Sequence, residues 1–479
     1  MSSLKDQKQQ FVSDLLGGSL KEIYSIVGVS IASLFTFKIL AQVLGNNNNG
    51  VLYIIHDLYF NVFLLVCSVT IYSNNILFMY KALGAASLLL FIVSLFVVKK
   101  TPKTQKPNVE LLTPKSFVTA YRSHMLILTN IAILAVDFHV FPRRFAKVET
   151  WGTSIMDMGV GSFVFSMGVV NSRSLIKQNL SGSNTKKTQF SATSYFKLLI
   201  SNTKKSMPML VLGVIRLISV KGLEYQEHVT EYGIHWNFFI TIGFLPIFIA
   251  ILDPLFNLIP RFLVASLISV VYEIALCQGG LLKFILTSEN RLDNILTMNK
   301  EGMFSFFGYL SIFIYGQSFG PFVLTNKPTY NNLISFTNTT KKSLLTVTTT
   351  TGLLITTVIY QLAFNIINES SYFHNVSRRL ANLPYVLMIV AYNAFFLLCY
   401  NLIENFFGSN NTGSKILDST NKNGLVFFLI GNLMTGLVNL TINTLECDNK
   451  LATIIIMGYA TILVSITYLM NEYKIYIKI

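Results

Sequence analysis

The feature that most constrains this sequence is a series of apolar blocks, each about twenty residues long. A helix rises about 1.5 Å per residue, so a block of that length crosses the roughly 30 Å hydrocarbon core of a bilayer. The blocks predict an all-α fold, a polytopic transmembrane helix bundle with about thirteen spans. The predicted spans are 23–45, 51–73, 76–98, 117–138, 150–171, 206–220, 235–252, 259–277, 301–317, 345–366, 383–403, 424–441 and 450–471.

The composition excludes an ordinary soluble protein. Only 12% of the 479 residues are charged and 52% are hydrophobic, whereas about a quarter of a soluble domain is charged. No polar stretch is long enough for a separate domain, so residues 1–479 are predicted to form a single multi-span membrane domain. The four cysteines lie far apart without metal-ligand spacing, so we predict no metal and no cofactor.

The net charge of +15 reflects membrane topology. The lysines and arginines gather in short loops, as the positive-inside rule expects, and no basic soluble domain suggests a nucleic-acid partner. Thirteen alternating spans place the two most basic loops, 99–115 and 172–205, on the same side, which is then cytoplasmic. The N-terminus is therefore predicted to be luminal and the C-terminus cytoplasmic.

One loop breaks this charge rule. Residues 139–149, HVFPRRFAKVE, carry Arg143, Arg144 and Lys147 on the predicted luminal side, and Asp137 closes the span before them. Arginine suits bidentate phosphate binding, and a desolvated aspartate can act as a general base. The alternative is structural, since Asp137 could pair with Lys147 or an arginine and tie two helices together. The charge pattern alone leaves both interpretations open.

A second polar cluster occupies residues 224–239, EYQEHVTEYGIHWNFF. His228 and His235 are seven residues apart, about two turns along one predicted helix face, and Glu231 lies at helical spacing from each. The spacing is not the HExxH of a zinc site, so these histidines are candidates for a general base or for structural groups at headgroup level. The candidate substrate-binding side chains around them are Trp151, Trp236, Asn237 and Phe238.

Three further segments place amides and charges within or beside spans: NKEG (299–302), SRRLANLPY (377–385) and NLMTGLVN (432–439). Polar groups at such positions usually bond between helices, so these segments are predicted to stabilise packing.

Two long strings carry a family resemblance, AILAVDFHVFPRRFAKVETWGTSIMDMGVGSFVFS and LEYQEHVTEYGIHWNFFIT. The chain resembles the fungal GPI-anchored wall protein transfer family, whose animal counterpart is the phosphatidylinositol-glycan class W protein. The resemblance runs from FVSDLLGGSLKEI near the start to NEYKIYIKI at the end, and therefore covers the whole chain.

The resemblance implies a multi-pass acyltransferase of the endoplasmic reticulum membrane that works in GPI-anchor biosynthesis and is the target of an antifungal inhibitor class. Such an enzyme moves a fatty acyl group, typically palmitoyl, from acyl-CoA to an inositol hydroxyl of glucosaminyl-phosphatidylinositol. Acyl-CoA is then a co-substrate, and the other partners are the acceptor lipid and the lipid bilayer.

These substrates suggest roles for the clustered residues. Asp137 would take the hydroxyl proton, and Lys147 would stabilise the oxyanion or relay the proton. Arg143 and Arg144 would hold phosphate groups. The reserve bases are His228 and His235, either of which Glu231 could orient.

Other functions remain open from the sequence. A lipid transporter or flippase would use the same intramembrane charges, although the absence of visible internal repeats counts against it. A scaffold subunit of a membrane complex would use them as interhelical ties. A membrane-bound O-acyltransferase fold fits the chemistry, but the motifs here do not match the histidine-centred pattern of that family.

Overall fold

The computed structural model describes residues 4–45, 50–97, 112–181, 192–222, 229–287, 291–326, 333–334, 345–408 and 413–477. These residues form helices joined by turns, with no β-strand in the ranges just given. The predicted all-α membrane bundle is therefore confirmed as the fold class.

Thirteen long helices are present in this part of the chain. They are α1 (Leu20–Val43), α2 (Val51–Val69), α3 (Ile76–Val97), α4 (Ser116–Ala135), α5 (Ile155–Ser181), α6 (Ala192–Gly222), α7 (Phe238–Ile251), α8 (Arg261–Cys277), α9 (Lys300–Val323), α10 (Thr349–Glu369), α11 (Leu383–Phe407), α12 (Gly424–Thr441) and α13 (Asn449–Glu472). The shorter helices are Leu4–Phe11, Arg143–Phe145, Val229–Tyr232, Asp253–Phe256, Leu281–Leu286, Ile295–Met298 and Lys415–Lys422. Within α2, Tyr59–Phe63 forms a π-helical turn.

Each predicted span falls on one of the long helices. Within the described ranges, nine of them are long and apolar enough to cross a membrane by length and composition: α1–α5 and α10–α13. The remaining four predicted spans correspond to α6–α9. The total of thirteen crossings stays a prediction, as do the single domain and the sides on which the termini lie.

One predicted span begins too early. Residues 150–154 are not helical, and α5 starts at Ile155. The cause is Gly152, which has φ +132° and whose Cα lies so close to Leu16 that an added Cβ would be 2.6 Å from that residue's carbonyl oxygen. The N-terminal segment packs here, since the Gly18 amide donates to the Thr153 carbonyl at 2.8 Å.

Contacts between connections show that the helices alternate in direction. At one end, here named the site end, the N-terminal segment meets the connections that follow α4, α6, α8, α10 and α12. The pairs that join them are Gly18–Thr153, Lys147–Glu231, Arg378–Glu231, Arg379–Glu301 and Asp137–Asn439. At the opposite end, the pairs are Asp57–Ser414, Ser116–Glu404 and Arg122–Asn421.

Helix α9 runs through the middle of the bundle and is buried along most of its length. Glycines let it approach its neighbours closely: an added Cβ on Gly316 would lie 2.2 Å from the Phe165 carbonyl oxygen of α5. An added Cβ on Gly308 would lie 1.9 Å from the carbonyl oxygen of Ala381 in the turn before α11. Small residues at helix interfaces permit such packing in membrane bundles.

Candidate functional site

The described residues enclose a cavity of about 720 Å³ among α1, α4, α5, α11 and α12. Along α4 its lining extends from Tyr121, near the helix start, to Val136, just past its end. At 1.5 Å per residue these fifteen steps span roughly 22 Å, a large part of the ~30 Å hydrocarbon core. The cavity therefore runs through most of the bundle and reaches the site end.

The middle of the cavity is apolar. The side chains that line it there include Leu126, Leu128, Ile133, Met158, Val160, Phe163, Phe396 and Phe428. They come from four helices, and an apolar channel of this depth suits a hydrocarbon chain.

The site end of the cavity is charged. Eight acidic or basic side chains line it: Lys8, Asp137, Lys147, Glu149, Arg216, Glu231, Arg378 and Arg379. Asp137, Lys147 and Glu231 were predicted as site residues, and the structure brings them into one cavity although Glu231 is 84 positions from Lys147.

Asp137 lies just after α4, where Asn439 of α12 donates its Nδ2 to the carboxylate Oδ2 at 2.7 Å. The Asn439 side chain in turn accepts from the Lys8 ammonium at 3.0 Å. Burial raises the pKa of Asp137, while the bond from Asn439 and the charges of Lys8 and Arg143 oppose this effect. A carboxylate whose pKa is raised is a stronger base than an ordinary aspartate.

Lys147 pairs with Glu231 instead of Asp137. Its Nζ lies 3.0 Å from both carboxylate oxygens of Glu231, and 41% of the lysine side chain stays accessible. The ammonium is therefore held by a partner from a distant segment while part of it faces the cavity.

Arg378 connects this pair to the first turn of α5. Its NH1 donates to Glu231 Oε1 at 2.7 Å, and its Nε donates to Asp157 Oδ1 at 2.7 Å. Burial alone would lower the pKa of Arg378, but the two carboxylates more than offset this and keep it well above its ordinary value. Asp157 also accepts from the Ser154 hydroxyl at 2.7 Å and the Val148 amide at 3.3 Å.

Arg379 uses only part of its hydrogen-bonding capacity. Its side chain is 9% exposed, and its buried Nε has no hydrogen-bond partner among the described residues. Its NH1 donates to the Thr150 hydroxyl at 3.4 Å, and the carboxylates of Glu149 and Glu301 each lie 3.8 Å away. This guanidinium has the capacity to bind an anion in the cavity.

Arg143 and Arg144 are placed outside the cavity lining. Arg143 donates to the backbone carbonyls of Val136, Phe138 and Phe141 at 2.8–3.3 Å and lies over the Phe11 ring, so it stabilises its own turn. Burial lowers its pKa to about 10, although the charge of Asp137 opposes that shift, so the side chain stays cationic at neutral pH. Arg144 pairs with Glu22 at 2.8 Å and with Asn74 at 2.6 Å.

The prediction that His228 and His235 share one helix face is wrong. His228 lies outside the described residues, and the helix that follows it, Val229–Tyr232, ends before His235. The chain turns at Gly233, whose φ is +101°. The His235 amide donates to Asn299 Oδ1 at 2.8 Å, its ring lies 3.4 Å from the Asn299 amide nitrogen, and His235 is not among the residues that line the cavity.

Of the three aromatic candidates, two line the cavity and one does not. Trp236 and Phe238 line the cavity, and the Trp236 indole donates to the Thr241 hydroxyl at 2.8 Å. Asn237 also lines it, and its side chain caps the N-terminus of α7. Trp151 instead packs against the His374 ring outside the cavity lining, with centroids 5.3 Å apart.

Arg378, Arg379 and Asp157, the carboxylate partner of Arg378, were not among the predicted site residues. The segment that holds Arg378 and Arg379 was predicted to stabilise packing, yet it falls on the predicted luminal side. Two adjacent arginines there are a second exception to the charge rule, and this signal was present in the sequence. Asp157 gave a weaker signal, a single carboxylate within an apolar span.

The arrangement combines a base, a cation and an apolar channel. Asp137 is able to accept a proton, Lys147 is able to stabilise developing negative charge, and Arg379 is able to hold a phosphate. All three groups line the same cavity, next to its apolar channel.

The chain is similar to known proteins over its whole length. The family model GWT1 matches residues 4–470. The chain is 52% identical to GPI-anchored wall transfer protein 1 of Candida albicans, 48% to that of Debaryomyces hansenii and 39% to that of Saccharomyces cerevisiae, with all of each chain covered. A match of this extent shows that the chain belongs to the GWT1 family.

Proposed function

We propose that this chain transfers a fatty acyl group, typically palmitoyl, from acyl-CoA to an inositol hydroxyl of glucosaminyl-phosphatidylinositol in the endoplasmic reticulum membrane. The observation that carries the proposal is the single cavity, in which a deep apolar channel ends among Asp137, Lys147 and Arg379. The family relatives are named for the transfer of GPI-anchored wall proteins, which supports the broader role in GPI-anchor biosynthesis.

The reaction assigns one task to each group. The inositol hydroxyl oxygen attacks the thioester carbon as Asp137 accepts the hydroxyl proton. The Lys147 ammonium stabilises the oxyanion that forms on the thioester oxygen. When the carbon–sulfur bond breaks, the thiolate takes up the proton that Asp137 releases and leaves as CoA, and the acyl group remains as an ester on inositol.

The remaining polar groups position the reactants. Glu231 and Arg378 hold Lys147 in place, because the arginine fixes the glutamate that accepts from the lysine. Arg379 is assigned as the phosphate ligand because it lines the cavity and its Nε has no hydrogen-bond partner among the described residues, whereas Arg143 and Arg144 lie outside the lining. His228 and His235 remain the reserve candidates for the base.

The proposal is tested with protein purified in detergent, labelled palmitoyl-CoA and short-chain glucosaminyl-phosphatidylinositol. We expect one CoA thiol for each inositol-acylated lipid formed. The matched control is the same lipid already acylated on inositol, which should yield neither product. Lipid movement across vesicles without a new ester would favour the transporter, and the absence of both activities would favour the scaffold.

A further inference from the structure

The end of the cavity opposite Asp137 is closed by polar side chains that bond to one another. We name this group the floor: Ser30, Tyr121, His124, Asn393 and Tyr400, all of which line the cavity. They come from α1, α4 and α11, and each is at least nine-tenths buried. The site chemistry described above uses none of them.

The hydrogen bonds of the floor are made within the protein. The Tyr400 hydroxyl lies 2.7 Å from His124 Nδ1 and 2.9 Å from the Ser30 hydroxyl. The Tyr121 hydroxyl donates to the Asn393 side-chain oxygen. The floor therefore presents the rings of two tyrosines to the cavity, while their polar atoms are bonded elsewhere.

The floor is also anchored from behind. His124 Nε2 lies 3.1 Å from Asn61 Oδ1, in the π-helical turn of α2. Asn61 donates to Asp57 at 2.8 Å, and Asp57 accepts from the Ser414 hydroxyl at 2.6 Å. A buried network whose members are satisfied in this way is rigid, and opening it would leave several buried polar groups unpaired.

We propose that the floor sets the length of the acyl chain that the cavity accepts. The inference rests on the proposed function and adds that the donor acyl chain lies along the apolar channel with its terminal methyl against Tyr121 and Tyr400. The channel is roughly 22 Å deep along α4, compared with the ~15 Å of one leaflet of hydrocarbon. That depth matches a long fatty acyl chain, and a still longer one would have to displace the floor.

The experiment measures kcat/KM for saturated acyl-CoA donors from 12 to 20 carbons with a constant acceptor lipid. Wild type should prefer one long chain and lose about tenfold or more when the chain is extended beyond it. Tyr121→Ala, which removes a floor ring, should move the preferred length upward by two or more carbons. Tyr121→Phe keeps the ring and should keep the wild-type preference.

A second variant shortens the channel and does not disturb the floor. Ala132 lines the channel between the floor and Asp137, so Ala132→Leu should move the preferred length downward. Leu89→Ala is the control, because Leu89 is 64% exposed on the outside of α3. If Tyr121→Ala does not fold, the direction in which Ala132→Leu moves the preferred chain length decides whether the proposal holds.

Two outcomes would overturn the length-setting role. One is an unchanged length preference in Tyr121→Ala or Ala132→Leu. The other is a preference that follows the chain length of the acceptor lipid and not that of the donor.

Binding separates this inference from the proposed function. Acyl-CoA thioethers cannot transfer their chain, and their stabilisation of the protein against heat should show the same length dependence. If stabilisation depends on chain length but no transfer occurs, the length-setting role of the floor is supported and the acyltransferase activity is refuted. If transfer occurs but every chain length stabilises the protein equally, the activity is supported and the length-setting role is refuted.

Discussion

The guanidinium of Arg378 donates to the carboxylate of Asp157 at 2.7 Å and thereby joins positions 221 residues apart. Their side chains are 6% and 1% exposed. The pair fixes the turn before α11 to the first turn of α5, and from this anchor Arg378 reaches Glu231 and, through it, Lys147.

Removal of this arginine should destabilise the protein severely. Arg378→Met leaves Asp157 buried without its cation, and breaking a buried pair in this way costs about 3–5 kcal/mol. Arg144→Met breaks a more exposed pair with Glu22 and should cost at most about 1 kcal/mol. Denaturant unfolding in detergent measures both free energies, and equal losses would argue against a structural role for the buried pair.

The hydrogen bond that Asn439 donates should hold down the pKa of Asp137. Because donation to the carboxylate favours its charged form, Asn439→Leu should raise the pKa of Asp137 further. The acidic limb of the pH profile of kcat should then move to higher pH, since the carboxylate form is required. Asn432→Leu is the matched control on α12, because that amide donates to the Phe428 carbonyl. An acidic limb that stays in place in Asn439→Leu would exclude Asp137 as the titrating base.

The close approach of α9 to the turn before α11 should make Gly308 intolerant of substitution. An added methyl group would lie 1.9 Å from the Ala381 carbonyl oxygen, so Gly308→Ala should cost about 1–3 kcal/mol through overpacking. Gly84→Ala is the matched control in α3, where an added Cβ meets no atom within 4 Å. Melting temperatures in detergent compare the two, and a loss confined to Gly84→Ala would contradict the packing.

The periodic features of this fold could be predicted from the sequence. Apolar blocks of membrane length predict helices regardless of what they pack against, and each predicted span falls on a helix. Asp137 and Lys147 could also be placed at the same end of the bundle, because they are only ten positions apart in the sequence.

The pairing of charges could not be predicted. Glu231 is 84 positions from Lys147, and tertiary packing alone decides that they meet. Arg143 was a misleading signal, because it bonds backbone carbonyls, and such acceptors leave no trace in a charge pattern. The prediction of one helix face for His228 and His235 was wrong because the chain turns at Gly233, whose φ is positive. The spacing of the two histidines gave no sign of this turn.

The predicted topology can be tested by cysteine accessibility. In protein whose four cysteines are replaced by serine, His139→Cys should react with an impermeant reagent applied from the lumen. Tyr476→Cys, which is 41% exposed near the other terminus, should react from the cytosol. Reaction of both positions from the same side would refute the nine crossings predicted between them.

The most direct test of the central claim is acyl transfer by Asp137→Asn and Lys147→Met, with Glu369→Gln and Lys283→Met as controls on exposed side chains. Loss of a general base or an oxyanion-stabilising cation should lower kcat by about a hundredfold or more. We expect both site variants to lose activity to this extent with unchanged melting temperatures, while both controls keep it. Near-normal turnover by folded Asp137→Asn would contradict the mechanism and direct the search for the base to His228 and His235.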